Sequence, residues 1–370
     1  MKGLIDSTLR EGGQMVGVNF SLAQKLAIVA QLDRLGIEEI ELGVATSLDH
    51  DLPGLLAGCR AMGGKARLAL WCRCRDEDIT VATSLQPDVL SLSIPTSELH
   101  IAKKLGKDRA WVLSTISRSI KLARERGSHC ISLGLEDATR AERAFLEEIV
   151  TTAVAAGVNR VRLADTVGVT TPAELADLVK TLKGKFAVEV GVHCHNDFGM
   201  ATANSLAALE AGADWADVTV LGLGERAGNA RLEEVVGFLA IRRGRPYQVA
   251  RLRELGELLG NLTGQPIAPH HPVLGEKIFY CESGLHLHGL HADPGTYEPY
   301  QPEQVGAERR LLYGAKIGKS QLRRHLAETG FQATPGRLEA MLQRIRSGFP
   351  RPREAPLGEN DFHALMTKNI

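Results

Sequence analysis

The sequence predicts an α/β protein, a (β/α)8 barrel of the TIM-barrel type followed by a mainly helical C-terminal accessory region. Short apolar, β-branched runs alternate with helix-period segments from the first residue to about Gly244, and eight such units can be counted. Eight repeats in about 245 residues match a closed eight-stranded barrel, whereas an open doubly wound sheet usually has fewer strands. Because the alternation ends near Gly244, we expect a barrel domain over residues 1–245 and accessory subdomains over 246–370.

Each predicted strand is a short apolar or β-branched run that stops before a polar or glycine-containing loop. The runs are Gly3–Ser7, Glu38–Val44, Ala66–Cys72, Asp88–Ile94, His129–Glu136, Arg160–Ala164, Ala187–His193 and Trp215–Val220. Ser21 is predicted to cap the first helix, and glycines at positions 36, 127, 157, 184 and 212 stand where helices should end. Beyond the barrel we expect helices over 247–263, around 320–328 and over 334–346.

Composition favours a cytoplasmic protein that acts on a small molecule. The 44 basic and 44 acidic residues cancel, which offers no electrostatic case for binding nucleic acid or an anionic membrane. The N-terminus has no apolar signal core, and no run of about 18 uncharged apolar residues occurs. Six scattered cysteines are too few for a disulfide framework, so we expect reduced thiols.

The C-terminal ends of the predicted strands carry polar residues that could bind a metal ion. In a TIM barrel these ends meet at one mouth. His193 and His195 are two residues apart at a strand end, so they face the same side and can offer nitrogens to one cation. With Glu11 and Asn229 they would form a shell suited to Mg²⁺, Mn²⁺ or Zn²⁺. An isolated His-x-His more often belongs to a hydrogen-bonded polar loop, but the polar residues at the other strand ends favour a metal site.

Two further strand-end residues have both a functional and an ordinary interpretation. Arg10 could form a surface ion pair with Glu11 that contributes little, or its guanidinium could stabilise an oxyanion at the barrel mouth. Its position directly after the first strand and before Gly12 and Gly13 favours the functional interpretation. Glu136 could be an ordinary acid at the end of a strand or part of a proton-transfer system, and the sequence around it leaves both open.

Three blocks together resemble a known family of enzymes. They are DSTLREGGQ at residues 6–14, VHCHNDFGMATAN at 192–204 and GLGERAGNA at 222–230. They are similar to the acyl-CoA-condensing branch of the metal-dependent pyruvate-aldolase-like TIM barrels, which comprises isopropylmalate, citramalate and homocitrate synthases. The resemblance continues through ESGLH at 282–286 and TYE at 296–298. The stretches 71–73, 94–97, 104–111 and 134–140 look most like the homocitrate synthases of nitrogen fixation.

The resemblance implies roles for ten residues, a divalent metal ion and acetyl-CoA. It implies Glu11, His193 and His195 as ligands of a divalent metal ion, with Asn229 close to or in the shell. It implies substrate contacts by Gln14, Thr166 and Tyr297, and catalytic roles for Arg10, Glu136 and His286, the last donated by the accessory region. The expected reaction is an acyltransferase condensation of acetyl-CoA with 2-oxoglutarate, and a homodimer is expected.

The chain departs from the family pattern at three places. Ser132 stands where an arginine is expected for the far carboxylate of 2-oxoglutarate, and Arg75, in place of a histidine, is a candidate to replace it. Lys316 stands where the family has a histidine in a C-terminal glycine-containing block. The sequence also ends without the long α/β extension that senses amino acids in many relatives, so feedback through such a domain is not expected.

Other functions remain open from the sequence. The same condensation could use pyruvate, 2-oxoisovalerate or oxaloacetate as the acceptor. A related lyase or aldolase would need no long accessory region, and a non-catalytic barrel would be expected to lack Glu11, His193 and His195. The sequence does not name the resting metal ion.

Overall fold

The computed structural model describes residues 1–46, 50–312, 314, 316–328 and 334–347. By contacts between α-carbons the chain divides into two compact units, Met1–Ile267 and Ala268–Ile370. The predicted boundary after residue 245 lies before a helix, Leu252–Thr263, that packs on the first helix of the barrel unit and belongs to that unit.

The first unit is a closed barrel of eight parallel strands in sequential order, which confirms the predicted fold class. Adjacent strands pair in parallel around the ring, and β1 closes it by pairing with β8 from Gly3 opposite Trp215 to Asp6 opposite Val218. The strands are Gly3–Asp6 (β1), Glu39–Val44 (β2), Arg67–Arg73 (β3), Val89–Pro95 (β4), Ile131–Glu136 (β5), Arg160–Asp165 (β6), Glu189–Cys194 (β7) and Trp215–Val218 (β8).

In the described part of this unit, eight α-helices follow the strands and a ninth extends the unit. They are Leu22–Leu35 (α1), Leu52–Met62 (α2), Asp76–Ser84 (α3), Arg109–Glu125 (α4), Arg143–Ala155 (α5), Pro172–Lys185 (α6), Ala201–Glu210 (α7), Leu232–Arg243 (α8) and Leu252–Thr263 (α9). The apolar stripe of α4, for example, buries Val112, Ile116 and Ile120, whose spacing of four residues places them on one helix face.

Most of the capping residues predicted from the sequence lie at the ends of helices. Ser21 caps α1, as predicted, and the structure adds that it forms a capping box with Gln24. Gly36, Gly127, Gly157 and Gly212 adopt positive φ angles directly after helices, as expected for helix-ending glycines. The prediction for Gly184 was wrong: α6 continues to Lys185 and ends where Phe186 turns extended.

The inside of the barrel holds charged residues in place of an apolar filling. Arg160 on β6 donates to the carboxylate of Glu39 on β2 from both terminal guanidinium nitrogens, at 2.6 and 3.1 Å. One layer closer to the mouth, Arg162 donates to Glu41 at 2.7 Å and to Asp217 at 2.9 Å. Because β2 and β6 lie on opposite sides of the closed ring, these side chains must meet across its interior.

Burial opposes ionisation of these groups, but their partners outweigh it. Burial raises the pKa of Glu41, whereas the guanidinium groups of Arg10 and Arg162 lower it, and the result is a pKa well below the ordinary value. Burial likewise lowers the pKa of Arg162, but Asp217 and Glu41 raise it above the usual value. Glu41 and Arg162 are therefore both charged at neutral pH.

The second unit is mainly helical, as predicted. It contains Gly284–Ala292 (α10), Lys319–Glu328 (α11) and Pro335–Ser347 (α12), with a short parallel pair of Tyr280–Cys281 (β9) and Arg310–Leu311 (β10). The last two helices enclose an apolar cluster formed by Ile317, Leu322, Leu326, Leu338, Met341, Leu342 and Ile345. Their predicted positions from the sequence are correct to within one residue at each end.

All six cysteines are free thiols, in agreement with the expectation from their spacing. Among the described residues, no helix combines the length and the apolar character that a membrane span requires.

Replacing Arg160 should destabilise the barrel strongly. Arg160→Met leaves the fully buried carboxylate of Glu39 without its main partner, and removing one member of a buried ion pair costs about 3–5 kcal/mol. The free energy of unfolding, measured by urea titration with circular dichroism, should fall by this amount. Arg143→Met, which breaks an exposed pair with Asp177, is the matched control and should change it by less than about 1 kcal/mol.

The double variant Glu39→Met/Arg160→Met should recover much of the loss, because it leaves no unpaired carboxylate inside the barrel. An Arg160→Met protein as stable as the Arg143→Met control would contradict the importance of the interior pair.

Candidate metal centre and active site

Glu11, His193 and His195 bring three ligand atoms to one point at the barrel mouth. The Nε2 atoms of the two histidines lie 3.3 Å apart. The Glu11 carboxylate places Oε1 3.4 Å from Nε2 of His195 and Oε2 4.0 Å from Nε2 of His193. Two ligand atoms that each lie about 2.1 Å from one ion are about 3.0–3.4 Å apart. The 3.3 and 3.4 Å separations fall within this range, and the three groups each offer a ligand atom within 4.8 Å of the others, so they could hold one divalent cation; all three side chains are buried.

The backbone explains why these groups meet. His193 lies in β7 opposite Ala164 of β6, and the next residue with the same orientation is His195. The backbone N–H of His195 donates to the carbonyl of Asp165, which continues the strand pairing past the end of β7. Glu11 comes from a turn after β1, in which its backbone N–H donates to the carbonyl of Ser7 at 2.7 Å.

Asn229 lies beside these residues, because its backbone forms an isolated antiparallel bridge with that of His195. Its Nδ2 donates to the carbonyl of Leu223 at 3.0 Å, while its buried Oδ1 has no hydrogen-bond partner among the described residues. A Cβ atom at Gly224 would lie 2.1 Å from that Nδ2 and 3.5 Å from Cγ of Glu11, so the glycine lets the loop fit between the two. A buried oxygen without a partner is unfavourable by about 1–3 kcal/mol, and a cation would satisfy it.

Asp217 fixes the orientation of His193 through a hydrogen bond. Its Oδ2 accepts a hydrogen bond from Nδ1 of His193 at 2.9 Å, which leaves Nε2 facing the centre. Such a carboxylate behind a histidine sets the tautomer and orientation of a metal ligand. The sequence reasoning did not identify Asp217.

Both imidazoles are kept neutral by their surroundings. Burial lowers the pKa of His193 below its usual value, against the opposing effect of Asp217. Burial, together with His193, Arg226 and Arg10, lowers the pKa of His195 to about 2. Neutral imidazole is the form that binds metal ions, so the two rings are prepared as ligands.

Arg10 is buried, which rules out the surface ion pair that the sequence also allowed. Its guanidinium donates to Oε2 of Glu11 and, at 2.9 Å, to Oε2 of Glu41. Asp217 lies 4.0 Å away, and the ring of Trp71 lies 5.8 Å from the guanidinium carbon. Arg10 thus connects the barrel interior to the metal centre.

A cavity of about 670 Å³ opens at the ends of β3, β4 and β5, and it includes Trp71, Arg75 and Glu136. Its volume is within the range of small-molecule sites. Arg75, at the start of α3, is exposed, and its guanidinium makes no hydrogen bond or ion pair with a described residue. Since Trp71 faces both this cavity and Arg10, the cavity adjoins the metal centre.

Glu136 ends β5, and one of its carboxylate oxygens is contacted by two side chains, Lys104 and His100. Lys104 donates to Oε1 at 2.6 Å, and Nδ1 of His100 lies 2.8 Å from the same oxygen. The sequence did not predict either contact.

Thr166 and Gln14 lie in surroundings that differ from those of Glu11, His193 and His195. The hydroxyl of Thr166 accepts a hydrogen bond from the backbone N–H of Asp137 at 2.8 Å, so it supports the loop after β5. Gln14 is exposed in a short 3₁₀ turn, and its side chain bonds no described residue. Their roles as substrate contacts stay predictions.

His286 and Tyr297 lie close to each other within the second unit. His286 is exposed on the first turn of α10, and its ring centroid lies 4.3 Å from that of Tyr297. The two residues that the family resemblance implied are therefore neighbours in space, although eleven positions separate them. In the same unit Lys316 lies 4.0 Å from Glu282.

Sequence reasoning missed the charged residues behind the site, although a signal existed. Glu39 and Glu41 alternate with apolar residues in β2, and Arg160 and Arg162 do the same in β6. Charges at a period of two in barrel strands cannot face the helix layer, so they indicate pairs inside the barrel.

Comparison with known proteins identifies the family. The model of the HMGL-like family matches residues 3–259, and that described as homocitrate synthase post-HMGL domain-like matches residues 273–349. The chain is 37% identical over 345 residues to 2-isopropylmalate synthase 2 of Caldanaerobacter subterraneus, covering 93% of this chain and 89% of that protein. It is 39% identical over 331 residues to a homocitrate synthase of Frankia alni, covering 88% and 93% respectively.

The chain belongs to the HMGL-like family, and along most of its length it is similar to the 2-oxo acid condensing synthases of that family. It is accordingly an enzyme of the metal-dependent, acyl-transferring kind.

Solved structures confirm the fold. HMG-CoA lyase of Bacillus subtilis superposes with a TM-score of 0.65 at 19% identity, over 71% of this chain and 94% of that chain. The lyase of Pseudomonas aeruginosa gives a TM-score of 0.63 at 19% identity, over 71% and 93%. These values establish a shared barrel and say nothing further about the reaction.

Glu11→Ala and His195→Ala should each weaken binding of Mn²⁺ or Zn²⁺ by more than about 100-fold, because each removes one ligand of a small shell. Isothermal titration calorimetry on metal-depleted protein measures the affinity directly. His129→Ala changes an exposed histidine and should leave it unaltered. Wild-type affinity in both ligand variants would show that the ion binds elsewhere.

Asp217→Asn should weaken metal binding by about 10- to 100-fold through the orientation of His193. Asp214→Asn, near the opposite end of the same strand, is the matched control and should bind metal normally. Equal affinity in the two variants would mean that Asp217 serves the barrel interior alone.

Proposed function

We propose that the protein is a homocitrate synthase of the nitrogen-fixation type. It condenses acetyl-CoA with 2-oxoglutarate: a methyl proton of the acetyl group leaves, its carbon bonds to the ketone carbon, and water then cleaves the thioester. Homocitrate and CoA are the products. The observation that carries the proposal is the convergence of Glu11, His193 and His195 beside Arg10, next to a cavity lined by the guanidinium of Arg75, which bonds no described residue.

Glu11, His193, His195 and Asn229 would hold the divalent ion. Bound there, the cation supplies Lewis-acid polarisation of the ketone of the 2-oxo acid. The neutral histidines and the buried Oδ1 of Asn229 support this ligand set.

Arg10 stabilises the negative charge that develops during the reaction. Its guanidinium is anchored by Glu11 and Glu41 and sits over Trp71 at the edge of the cavity. A fixed guanidinium in a buried site stabilises an oxyanion without having to reorganise. It stabilises first the negative oxygen of the thioester enolate and then the oxygen of the attacked ketone.

Glu136 is the base that takes the methyl proton, with His286 as a further member of the proton-transfer machinery. The side chain of Glu136 lines the cavity, within which the thioester must lie for the reaction. His286 enters the proposal through the family resemblance and through its contact with Tyr297.

Arg75 favours a dicarboxylic acceptor. Pyruvate and 2-oxoisovalerate have one carboxylate each, whereas 2-oxoglutarate has a second one that needs a cationic partner. The hydroxyl of Ser132 accepts a hydrogen bond from Arg160 in the interior, so it does not replace the arginine expected at its position. The guanidinium of Arg75 in the cavity wall has no partner in the described part of the chain and is suited to that carboxylate.

The second unit supports a synthase over a lyase, because the family model that matches residues 273–349 is named after homocitrate synthase. The proposal includes a homodimer and a cytoplasmic location.

A thiol-release assay with acetyl-CoA and a panel of 2-oxo acids, with and without chelator, tests the function. We expect the highest kcat/KM with 2-oxoglutarate and loss of turnover on chelation. Arg75→Ala should raise KM for 2-oxoglutarate by about 10- to 100-fold, equivalent to about 1.4–2.7 kcal/mol, without changing the weak turnover of pyruvate.

Arg73→Ala is the matched control, because Arg73 lines the same cavity but is already bonded to Asp78 at 2.6 and 3.1 Å. Preference for pyruvate in the wild-type enzyme would overturn the acceptor and leave the condensation intact. No CoA release with any acid would overturn the function.

A further inference from the structure

Two donors meet at one oxygen of the Glu136 carboxylate. Nδ1 of His100 and Nζ of Lys104 both contact Oε1, at 2.8 and 2.6 Å. The other oxygen, Oε2, bonds no described residue. Since the side chain lines the cavity, Oε2 is the atom available to a ligand there.

The local backbone places these two donors together. Residues His100–Leu105 form a π-helical turn, a rare arrangement that often accompanies functional sites. With more than four residues per turn, it carries His100 and Lys104 on one side. The hydroxyl of Ser97 accepts a hydrogen bond from the backbone N–H of His100 at 3.3 Å and holds the start of the turn.

Asp137, the residue after Glu136, is also held in place by its surroundings. Asp137 has a φ of 62°, in the left-handed region that non-glycine residues seldom occupy, although aspartate adopts it more readily than most. Arg140 bonds both of its carboxylate oxygens, at 2.8 and 2.7 Å, and Ser97 donates to one of them. The segment that carries Glu136 is thus held rigidly on both sides.

The tautomer of His100 follows from its two neighbours. A guanidinium nitrogen of Arg140 lies 3.5 Å from Nε2 of His100, and arginine can only donate. Nε2 therefore accepts, and Nδ1 carries the proton that is donated to Glu136. Asp137, 3.8 Å from Nε2, is already occupied by Arg140 and Ser97.

We propose that His100, with Lys104, positions Glu136 for proton removal by holding Oε1 and directing Oε2 at the substrate carbon. This inference rests on the proposed condensation. In that step the C–H bond of the acetyl methyl group breaks, the proton goes to Oε2, and the electron pair passes into the thioester enolate. His100 acts through Glu136 and does not touch the substrate.

The test compares two substitutions at His100. His100→Leu removes the donor at nearly unchanged volume, whereas His100→Asn keeps an N–H near the place of Nδ1. The leucine variant should lower kcat by about 10- to 100-fold with little change in KM for the 2-oxo acid, because proton transfer alone is impaired. The asparagine variant should recover most of that loss.

The isotope effect distinguishes positioning from general damage. With trideuterated acetyl-CoA the primary isotope effect on kcat should increase in His100→Leu, since proton removal becomes slower than later steps. Metal affinity should equal that of wild type. His129→Leu, at an exposed histidine, should alter neither quantity.

Lys104→Met tests the same inference at the second donor. Because the Lys104 side chain is about half exposed, this substitution should not affect folding. It should lower kcat less than His100→Leu does and should raise the isotope effect in the same way. An unchanged kcat and isotope effect in both His100→Leu and Lys104→Met, in an enzyme whose wild type turns over, would overturn the inference alone. Absence of wild-type turnover with every acid would instead overturn the proposed function.

Discussion

The buried charge pairs across the barrel interior are the constraint on which the rest of the site depends. Glu41 on β2 can remain ionised inside the protein only because Arg162 and Arg10 both contact it. Arg162 in turn bonds Asp217, which holds His193. Each charge therefore has its partner fixed on another strand, and breaking one pair would leave a desolvated charge behind. The fold and the site are maintained by the same contacts.

This arrangement explains how neutral metal ligands and a charged guanidinium can lie next to each other. A metal ligand should be neutral or anionic and well oriented, while an oxyanion requires a cation nearby. Burial keeps His193 and His195 neutral, and the carboxylates of Glu41 and Glu11 anchor the guanidinium of Arg10 beside them. At the next strand ends, Lys104 and His100 restrain Glu136. Fixed partners thus set the orientation of His193, Arg10 and Glu136 before a substrate binds.

Much of this could be predicted from the sequence because it depends on local patterns. The alternation of apolar runs and helices predicted eight strands, and all eight occur within two residues of their expected starts. The spacing of His193 and His195 predicted a shared face, which their 3.3 Å separation confirms. Gly184 shows the limit of such signals, since a glycine ends a helix only where the following residues leave the helical path. Glu136 could not be assigned because its partners lie more than thirty positions away.

The sequence by itself determined the barrel, the helical second unit and the residues that approach the mouth, because periodicity, turn chemistry and strand ends are encoded by neighbouring residues. Only the tertiary structure decided which charges meet inside the barrel, that Asp217 stands behind His193, and that His100 contacts Glu136. Those contacts join residues from different strands and loops. Closure of the ring fixes their distances, and no short-range pattern carries that information.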